Sequence, residues 1–225
     1  MLNQEIWTII DKARPSGWIM EPEAKRLLDL AGLPVPKFYW ATTLPKALKA
    51  AESIQYPVVA KVVSPAIVHK SEVQGVVVGI EDAAHLTDTF NTFSKMEGFC
   101  GILIEEMVPG IELIVGAKID YQFGPVILMG IGGTSVEIYH DTTLRMAPLS
   151  GKDVASMVES LKGRKLLKGY RATEAIDLGA LSQLMVKFST LVMALESRFE
   201  SIDLNPVKCT ANSCIIADAR IMLNG

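Results

Sequence analysis

Short apolar runs alternate with segments of helical periodicity along the chain, and together they predict helices and strands in turn. Apolar residues at helical spacing are typical of helices with one buried face, whereas short apolar runs bounded by glycine or proline favour buried strands. The predicted helices cover residues 2–14, 22–31, 44–54, 82–96, 151–161 and 174–198. The predicted strands cover residues 56–63, 73–80, 102–107, 112–119, 125–131, 136–139, 144–147, 201–207 and 214–221. Strands that come in runs separated by helices favour an α+β fold over a regular doubly wound sheet.

The pair Pro109-Gly110 interrupts this pattern near the middle of the chain. Proline and glycine break regular structure, so the pair predicts a boundary between two lobes. We therefore expect an N-terminal helical extension over residues 1–21, one lobe over residues 22–109 and a second lobe over residues 110–225.

Composition narrows the class of protein. Hydrophobic residues make up 49% of the 225 residues, which argues against a disordered chain, and the net charge of −3 argues against nonspecific binding of nucleic acid or anionic membranes. The longest uncharged stretch, residues 121–135, contains four glycines and is too short to span a bilayer. The three cysteines form no Cys-x-x-Cys pair and the N-terminus has no basic start, so we expect reduced thiols in a cytoplasmic protein.

Several common catalytic motifs are absent from the sequence. There is no Gly-x-x-x-x-Gly-Lys-Ser/Thr loop, no Gly-x-Gly-x-x-Gly, no His-Glu-x-x-His and no Gly-x-Ser-x-Gly. The three histidines, His69, His85 and His140, are too scattered to predict a zinc site. P-loop, dinucleotide-linked and zinc-hydrolase functions are therefore disfavoured.

Lys61 is the one charged residue in the apolar run of residues 58–63. Burying a lysine is costly unless its ammonium finds an anion or reaches water. Two interpretations are equally open: a lysine that meets a bound phosphate, or a lysine on the wet face of an edge strand.

The C-terminal strands place oxygen ligands opposite one another. Alternation along residues 202–206 predicts that Asp203 and Asn205 share one face while Ile202, Leu204 and Pro206 face the core. The amide and carboxylate oxygens of Asn205 and Asp218 would then lie close enough to share Mg²⁺. An ordinary solvated hairpin is the alternative.

A simple hairpin that closes over residues 210–213 fixes this register. It pairs Cys209 with Cys214, Asn205 with Asp218, and Asp203 with Arg220. A bulge that shifts the register is the alternative.

Two further segments carry candidate chemistry. The strand that ends in Glu105 and Glu106 exposes backbone groups that can pair with an adenine edge. Val108 would then lie against the ring, and Glu112 would accept hydrogen bonds from ribose hydroxyls. A linker with solvated glutamates is the alternative.

His69 lies in a loop near Lys61, and a neutral imidazole nitrogen can attack phosphorus. A loop histidine bonded to backbone is the alternative for His69.

Taken in order, these segments resemble the ATP-grasp family, and in particular the nucleotide-binding β subunits of NDP-forming acyl-CoA synthetases of the ADP-forming acetyl-CoA synthetase type. More distantly, the chain is similar to the β subunit of succinyl-CoA synthetase. The matching phrases are residues 56–70, 104–116, 123–133, 145–149, 203–207 and 217–221.

The resemblance implies an ATP-grasp fold, with two α+β lobes that bind ATP or ADP between them. It implies a role for each matching residue. The implied nucleotide-binding residues are Lys61, Glu105, Glu106, Val108, Glu112 and Arg145, the implied Mg²⁺ ligands are Asn205 and Asp218, and the implied catalytic residues are His69, as a second phosphoryl carrier, and Asp203. Asp203 stands where relatives usually have glutamate, which is one methylene longer.

The resemblance also implies a reaction and a partner. The reaction is acyl-CoA + NDP + phosphate ⇌ carboxylate + CoA + NTP, and the partner is a CoA-binding α subunit that carries a phosphohistidine in a hetero-oligomer. Two other functions remain open: a stand-alone ATP-grasp carboxylate–amine or carboxylate–thiol ligase, and a non-catalytic nucleotide-sensing subunit.

Overall fold

The computed structural model describes residues 2–133, 141–171 and 173–224. The helices are α1 Gln4–Ala13, α2 Glu21–Leu30, α3 Leu44–Ile54, α4 Ala83–Phe93, α5 Gly151–Ser160, α6 Arg164–Leu167 and α7 Leu178–Leu195. The strands are β1 Trp18–Ile19, β2 Phe38–Ala41, β3 Val58–Val63, β4 Val76–Ile80, β5 Gly101–Glu106, β6 Ile111–Asp120, β7 Gly124–Ile131, β8 Thr142–Met146, β9 Phe199–Cys209, β10 Cys214–Ile216 and β11 Arg220–Leu223. The predicted strand over residues 136–139 and His140 lie outside the described residues.

The chain forms two compact units. The larger unit contains Met1–Ile19, Glu23–Val35 and Pro109–Gly225, and the smaller unit contains Met20–Pro22 and Pro36–Val108. Residues 23–35 belong to the larger unit because Leu27, Leu28 and Leu33 are buried in its core, whereas the sequence-based division groups them with residues 22–109. The sequence-based boundary at residue 22 is therefore wrong for this segment, because its apolar residues are buried in the core of the larger unit.

The larger unit is built on a seven-stranded sheet with the order β1-β11-β9-β6-β7-β8, with β10 also paired to β9. Every described pairing in this sheet is antiparallel, which is typical of an α+β fold. By length and composition alone, α7 is the one helix among residues 2–133, 141–171 and 173–224 that is able to span a membrane. Eight of its side chains are buried, and a position in the core of this unit accounts for its apolar character.

The smaller unit has a four-stranded antiparallel sheet with the order β2-β5-β3-β4. Its core combines alternate residues of these strands with α3 and α4. Strand β3 is therefore an interior strand, flanked by β5 and β4. This position decides the environment of Lys61.

The C-terminal hairpin has the predicted register. Cys209 pairs with Cys214 and Asp203 pairs with Arg220, and both thiols at the first pair are free. A hydrogen bond with Cys214, together with burial, raises the pKa of the Cys209 thiol well above its usual range, so this thiol stays protonated and unreactive.

The predicted strand over residues 214–221 is wrong as a single element, because it divides into β10 and β11. A register shift in the pairing of β6 with β9 falls between Leu113 and Val115, opposite residues 205 and 206. This bulge places Val207, instead of the expected Pro206, in the buried row.

Candidate functional site

Four charged side chains are buried together in the smaller unit. The Lys61 Nζ atom lies 2.5 Å from Glu21 Oε1 and 3.2 Å from Glu105 Oε2, and the Lys70 Nζ atom lies 2.7 Å from Glu21 Oε2. The side chains are 1% (Glu21), 3% (Glu105), 7% (Lys61) and 11% (Lys70) exposed. We call Glu21, Lys61, Lys70 and Glu105 the buried charge cluster. Its two lysines and two glutamates balance, which is what charges removed from water require.

Strand pairing explains half of the cluster. Lys61 pairs with Leu103, and Val59 pairs with Glu105, so Lys61 and Glu105 are diagonal neighbours on one face of the sheet. Long side chains reach one another at this spacing. The interpretation of Lys61 as a lysine on the wet face of an edge strand is therefore wrong, because β3 is an interior strand and the ammonium is paired with buried carboxylates.

The other two members of the cluster, Glu21 and Lys70, were not predicted from the sequence. Glu21 lies 40 residues before Lys61, and its place at the start of α2 gives no local sign of a buried ion pair. Lys70 lies within a matching phrase, but a lysine in a polar loop is expected to be solvated. The only usable signal was the need of a buried Lys61 for counter-charge.

His69 immediately precedes Lys70 in the chain, and its side chain is accessible. Its side chain is 57% exposed, and its Nδ1 atom lies 3.9 Å from Glu72 Oε1. It precedes the short 3-10 helix Lys70–Val73 and borders an open pocket of about 450 Å³. The imidazole is thus accessible from solvent.

The predicted adenine and ribose residues have protein partners. Glu105 belongs to the buried charge cluster, whereas the Glu106 carboxylate accepts a 2.8 Å hydrogen bond from the backbone N–H of Lys37. Val108 is half-buried at the end of the smaller unit. In the larger unit Glu112 lies opposite Lys208 and binds its ammonium at 2.6 Å.

The predicted Mg²⁺ ligands of the larger unit, Asn205 and Asp218, both lie where the pairing of the C-terminal strands is irregular. The ladder is interrupted between β10 and β11, and because the register is the same on both sides, Asn205 and Asp218 are at opposite positions along the two strands. The Ala217 carbonyl accepts a 2.8 Å hydrogen bond from Lys25, whose side chain is fully buried. We call residues 205–206 and 217–218 the strand kink. The hydrogen bond from Lys25 holds the backbone of the strand kink.

The donor set of the strand kink fits Mg²⁺. Asn205 is exposed and Asp218 is half-buried, and an amide oxygen and a carboxylate are hard ligands of the kind that Mg²⁺ prefers. Within residues 2–133, 141–171 and 173–224 no group of three or more His, Cys, Asp and Glu side chains is arranged to hold a metal. Two protein ligands suit a metal that takes its other ligands from phosphates and water.

Asp203 lies two residues before Asn205 on β9. It pairs with Arg220 across the hairpin, and the side chains are 3.3 Å apart. Both side chains are partly exposed, so this pair is accessible from solvent. The Arg220 guanidinium donates a hydrogen bond to the Asp203 carboxylate.

Arg145 lies on the other face of the larger sheet. It pairs with the buried Ile127 and therefore shares the face that packs against the helices. Its guanidinium donates to Ser156 at 2.9 Å and to Ser160 at 3.5 Å on α5, and to the Leu144 carbonyl at 2.7 Å. These bonds favour a structural role over the implied contact with phosphates.

This placement predicts the behaviour of an Arg145→Met variant. Because the guanidinium is bonded to α5, we expect the variant to lower the thermal midpoint while nucleotide affinity changes by less than about twofold, the change expected of a residue outside the binding site. Calorimetric titration with Mg-ADP and a melting curve measure the two effects. A tenfold loss of affinity with an unchanged midpoint would restore Arg145 to the nucleotide site.

Comparison with known proteins places these features in context. A family model described as an ATP-grasp domain matches residues 12–223. The chain is 37% identical over 224 residues to the acetate–CoA ligase [ADP-forming] I subunit beta of Pyrococcus furiosus, and the match covers 96% of both chains.

Solved structures give the same result. A dinucleotide-forming acetyl-coenzyme A synthetase 1 of Ca. Korarchaeum cryptofilum, in complex with coenzyme A, Ca-AMPCP and HgCl⁺, has a TM-score of 0.90 and 34% identity over 96% of this chain and 99% of that chain. A second structure of that enzyme holds coenzyme A and Mg-AMPPCP, with a phosphohistidine segment pointing towards the nucleotide binding site. Its TM-score is 0.86, with 33% identity over 97% of this chain and 100% of that chain.

Proposed function

Because this chain belongs to the ATP-grasp family, and within it to the β subunits of ADP-forming CoA ligases, we propose that it is the nucleotide-binding subunit of an acyl-CoA synthetase that forms ATP from ADP and phosphate. It is an acid–thiol ligase of the ATP-grasp fold, and ATP or ADP is its nucleotide substrate. Its partner is a CoA-binding α subunit that carries a phosphohistidine, and the hetero-oligomer acts in the cytoplasm.

The proposed reaction is acyl-CoA + ADP + phosphate ⇌ carboxylate + CoA + ATP. A phosphoryl group reaches this chain on an imidazole of the α subunit. The phosphorus–nitrogen bond to that imidazole breaks as a new bond to His69 forms. The bond to His69 then breaks as a phosphorus–oxygen bond to the terminal phosphate of ADP forms.

The observation that carries the proposal is the exposed His69 imidazole, on the residue that immediately precedes Lys70 of the buried charge cluster. An accessible nucleophile suits a phosphoryl group, whose transfer depends on positioning and on neutralisation of charge. Within the proposal, Lys61 neutralises nucleotide phosphates. Asp203 orients the imidazole that carries the phosphoryl group and stabilises its charged form.

Other residues complete the proposed nucleotide site. The strand end at Glu105 and Glu106 offers backbone groups to adenine, Val108 packs against the ring, and Glu112 accepts from ribose hydroxyls. Asn205 and Asp218 are the proposed Mg²⁺ ligands of the strand kink. When bound, the metal offsets part of the negative charge of the phosphates.

The proposal is tested on the complex that co-purifies with this chain from its native source. We expect the complex to contain a larger CoA-binding subunit and to form ATP from ADP, phosphate and at least one acyl-CoA in a panel of several. Labelled phosphate should pass through an acid-labile phosphohistidine on this chain. ATP binding without phosphoryl transfer to any acyl-CoA product would instead favour a sensing subunit, and turnover by this chain alone would favour a stand-alone ligase.

A further inference from the structure

The loop between β3 and β4 is fixed at both of its ends. At the start, the Ser64 hydroxyl donates to the Glu97 carbonyl at 2.7 Å and accepts from the backbone N–H of Ala66 at 3.1 Å. At the end, the Gly75 carbonyl accepts from the backbone N–H of Val62 at 2.8 Å. A side chain at Gly75 would begin 2.6 Å from Val62 Cγ1, so this end is also closely packed. His69 lies midway between these two fixed ends.

Lys70 supplies a third anchor at the middle of the loop. It is the only residue of 69–74 that is not exposed, and its Nζ atom lies 2.7 Å from the buried Glu21 Oε2. Its backbone carbonyl accepts from the N–H of Gly75 at 2.7 Å. Both the side chain and the main chain of Lys70 are therefore held, one peptide bond away from His69.

Glu21 is a suitable fixed point for this anchor. It is 1% exposed, and its second oxygen is bound to Lys61 of the interior strand β3 at 2.5 Å. The carboxylate is therefore held from two sides. The ion pair connects the middle of the loop to Lys61 on the interior strand β3.

We propose that Lys70 is a positioning residue, which holds the His69 backbone in the orientation for phosphoryl transfer through its buried ion pair with Glu21. The inference rests on the proposed role of His69. Transfer through an imidazole requires the nitrogen in line with phosphorus, and small displacements of such a group lower rates strongly. Lys70 itself touches neither the reacting atoms nor the nucleotide in this role.

The test compares Lys70→Met, Lys70→Arg and the surface control Lys49→Met in the reconstituted complex. We expect Lys70→Met to slow phosphorylation of His69 about 10- to 100-fold. The dissociation constant for Mg-ADP should change by less than about twofold, because Glu21 still pairs with Lys61. Lys70→Arg should restore most of the rate, since arginine keeps the charge, and Lys49→Met should behave as wild type because Lys49 is exposed on α3.

Amide hydrogen exchange over residues 64–75 gives a readout that needs no activity. We expect faster exchange in Lys70→Met than in wild type, with unchanged exchange in α4. Unchanged exchange in the loop would overturn the anchor, and faster exchange with a wild-type rate of His69 phosphorylation would overturn the positioning role. If Lys70→Met does not fold, Lys70→Gln is measured in the same way. Absence of His69 phosphorylation in the wild-type complex would refute the proposed function instead, while the exchange result still decides the anchor.

Discussion

Replacement of His69 by alanine is expected to abolish ATP formation from acyl-CoA in the complex. The loss should be at least about 10³-fold, the scale observed when a nucleophile that acts in a covalent sequence is removed. The side chain is 57% exposed and is not a member of the buried charge cluster, so its removal should leave the fold intact. The measurement is ATP formation by the reconstituted complex, together with label retained on this chain.

The same variant should bind the nucleotide normally. We expect the dissociation constant for Mg-ADP to stay within about twofold of wild type, because the imidazole passes on a phosphoryl group and does not hold the nucleotide. His85→Ala is the matched control, since His85 is an exposed histidine of the same unit on α4. Undiminished turnover in His69→Ala would remove the relay role and leave direct transfer from the α subunit as the route.

The second large effect is expected at the strand kink. Replacing both Asn205 and Asp218 by alanine removes the two oxygen ligands proposed for Mg²⁺, so the affinity for Mg-ADP should fall at least about tenfold. Because the metal carries this effect, the affinity measured without Mg²⁺ should change much less. Calorimetric titration with and without Mg²⁺ separates the two contributions.

The fold of this double variant is controlled within the same hairpin. The bond from Lys25 to the Ala217 carbonyl uses backbone at the kink and survives both substitutions. Asn212→Ala, an exposed change at the tip of the hairpin, should leave the affinity for Mg-ADP unchanged. An unaltered affinity in the double variant would discredit the strand kink as a metal site.

The longer helices and strands of the fold follow from the spacing of apolar residues along the chain. Helix α3 occupies the predicted residues 44–54, and the predicted helix over residues 151–161 differs by one residue from α5. The elements β1, β2 and α6, which have two to four residues, escaped prediction because such short segments contain too few positions to establish a period. The predicted strand from residue 73 begins only at Val76, since a 3-10 helix occupies Lys70–Val73.

The sequence by itself determined which residues need a counter-charge and which residues pair across the C-terminal hairpin. A lysine in an apolar strand required an anion or access to water, and a simple hairpin with a four-residue connection predicted that Cys209 faces Cys214 and that Asp203 faces Arg220. These requirements follow from solvation and from strand geometry, which act over a few residues.

Only the tertiary structure decided which residues supply the counter-charge and which elements surround the candidate site residues. Glu21, 40 residues away from Lys61, provides its counter-charge and shares it with Lys70. Sheet pairing turned Arg145 towards α5, and the bulge in β9 with the interruption between β10 and β11 created the kink at Asn205 and Asp218. Contacts between distant segments depend on how whole elements pack, and no pattern of neighbouring residues encodes them.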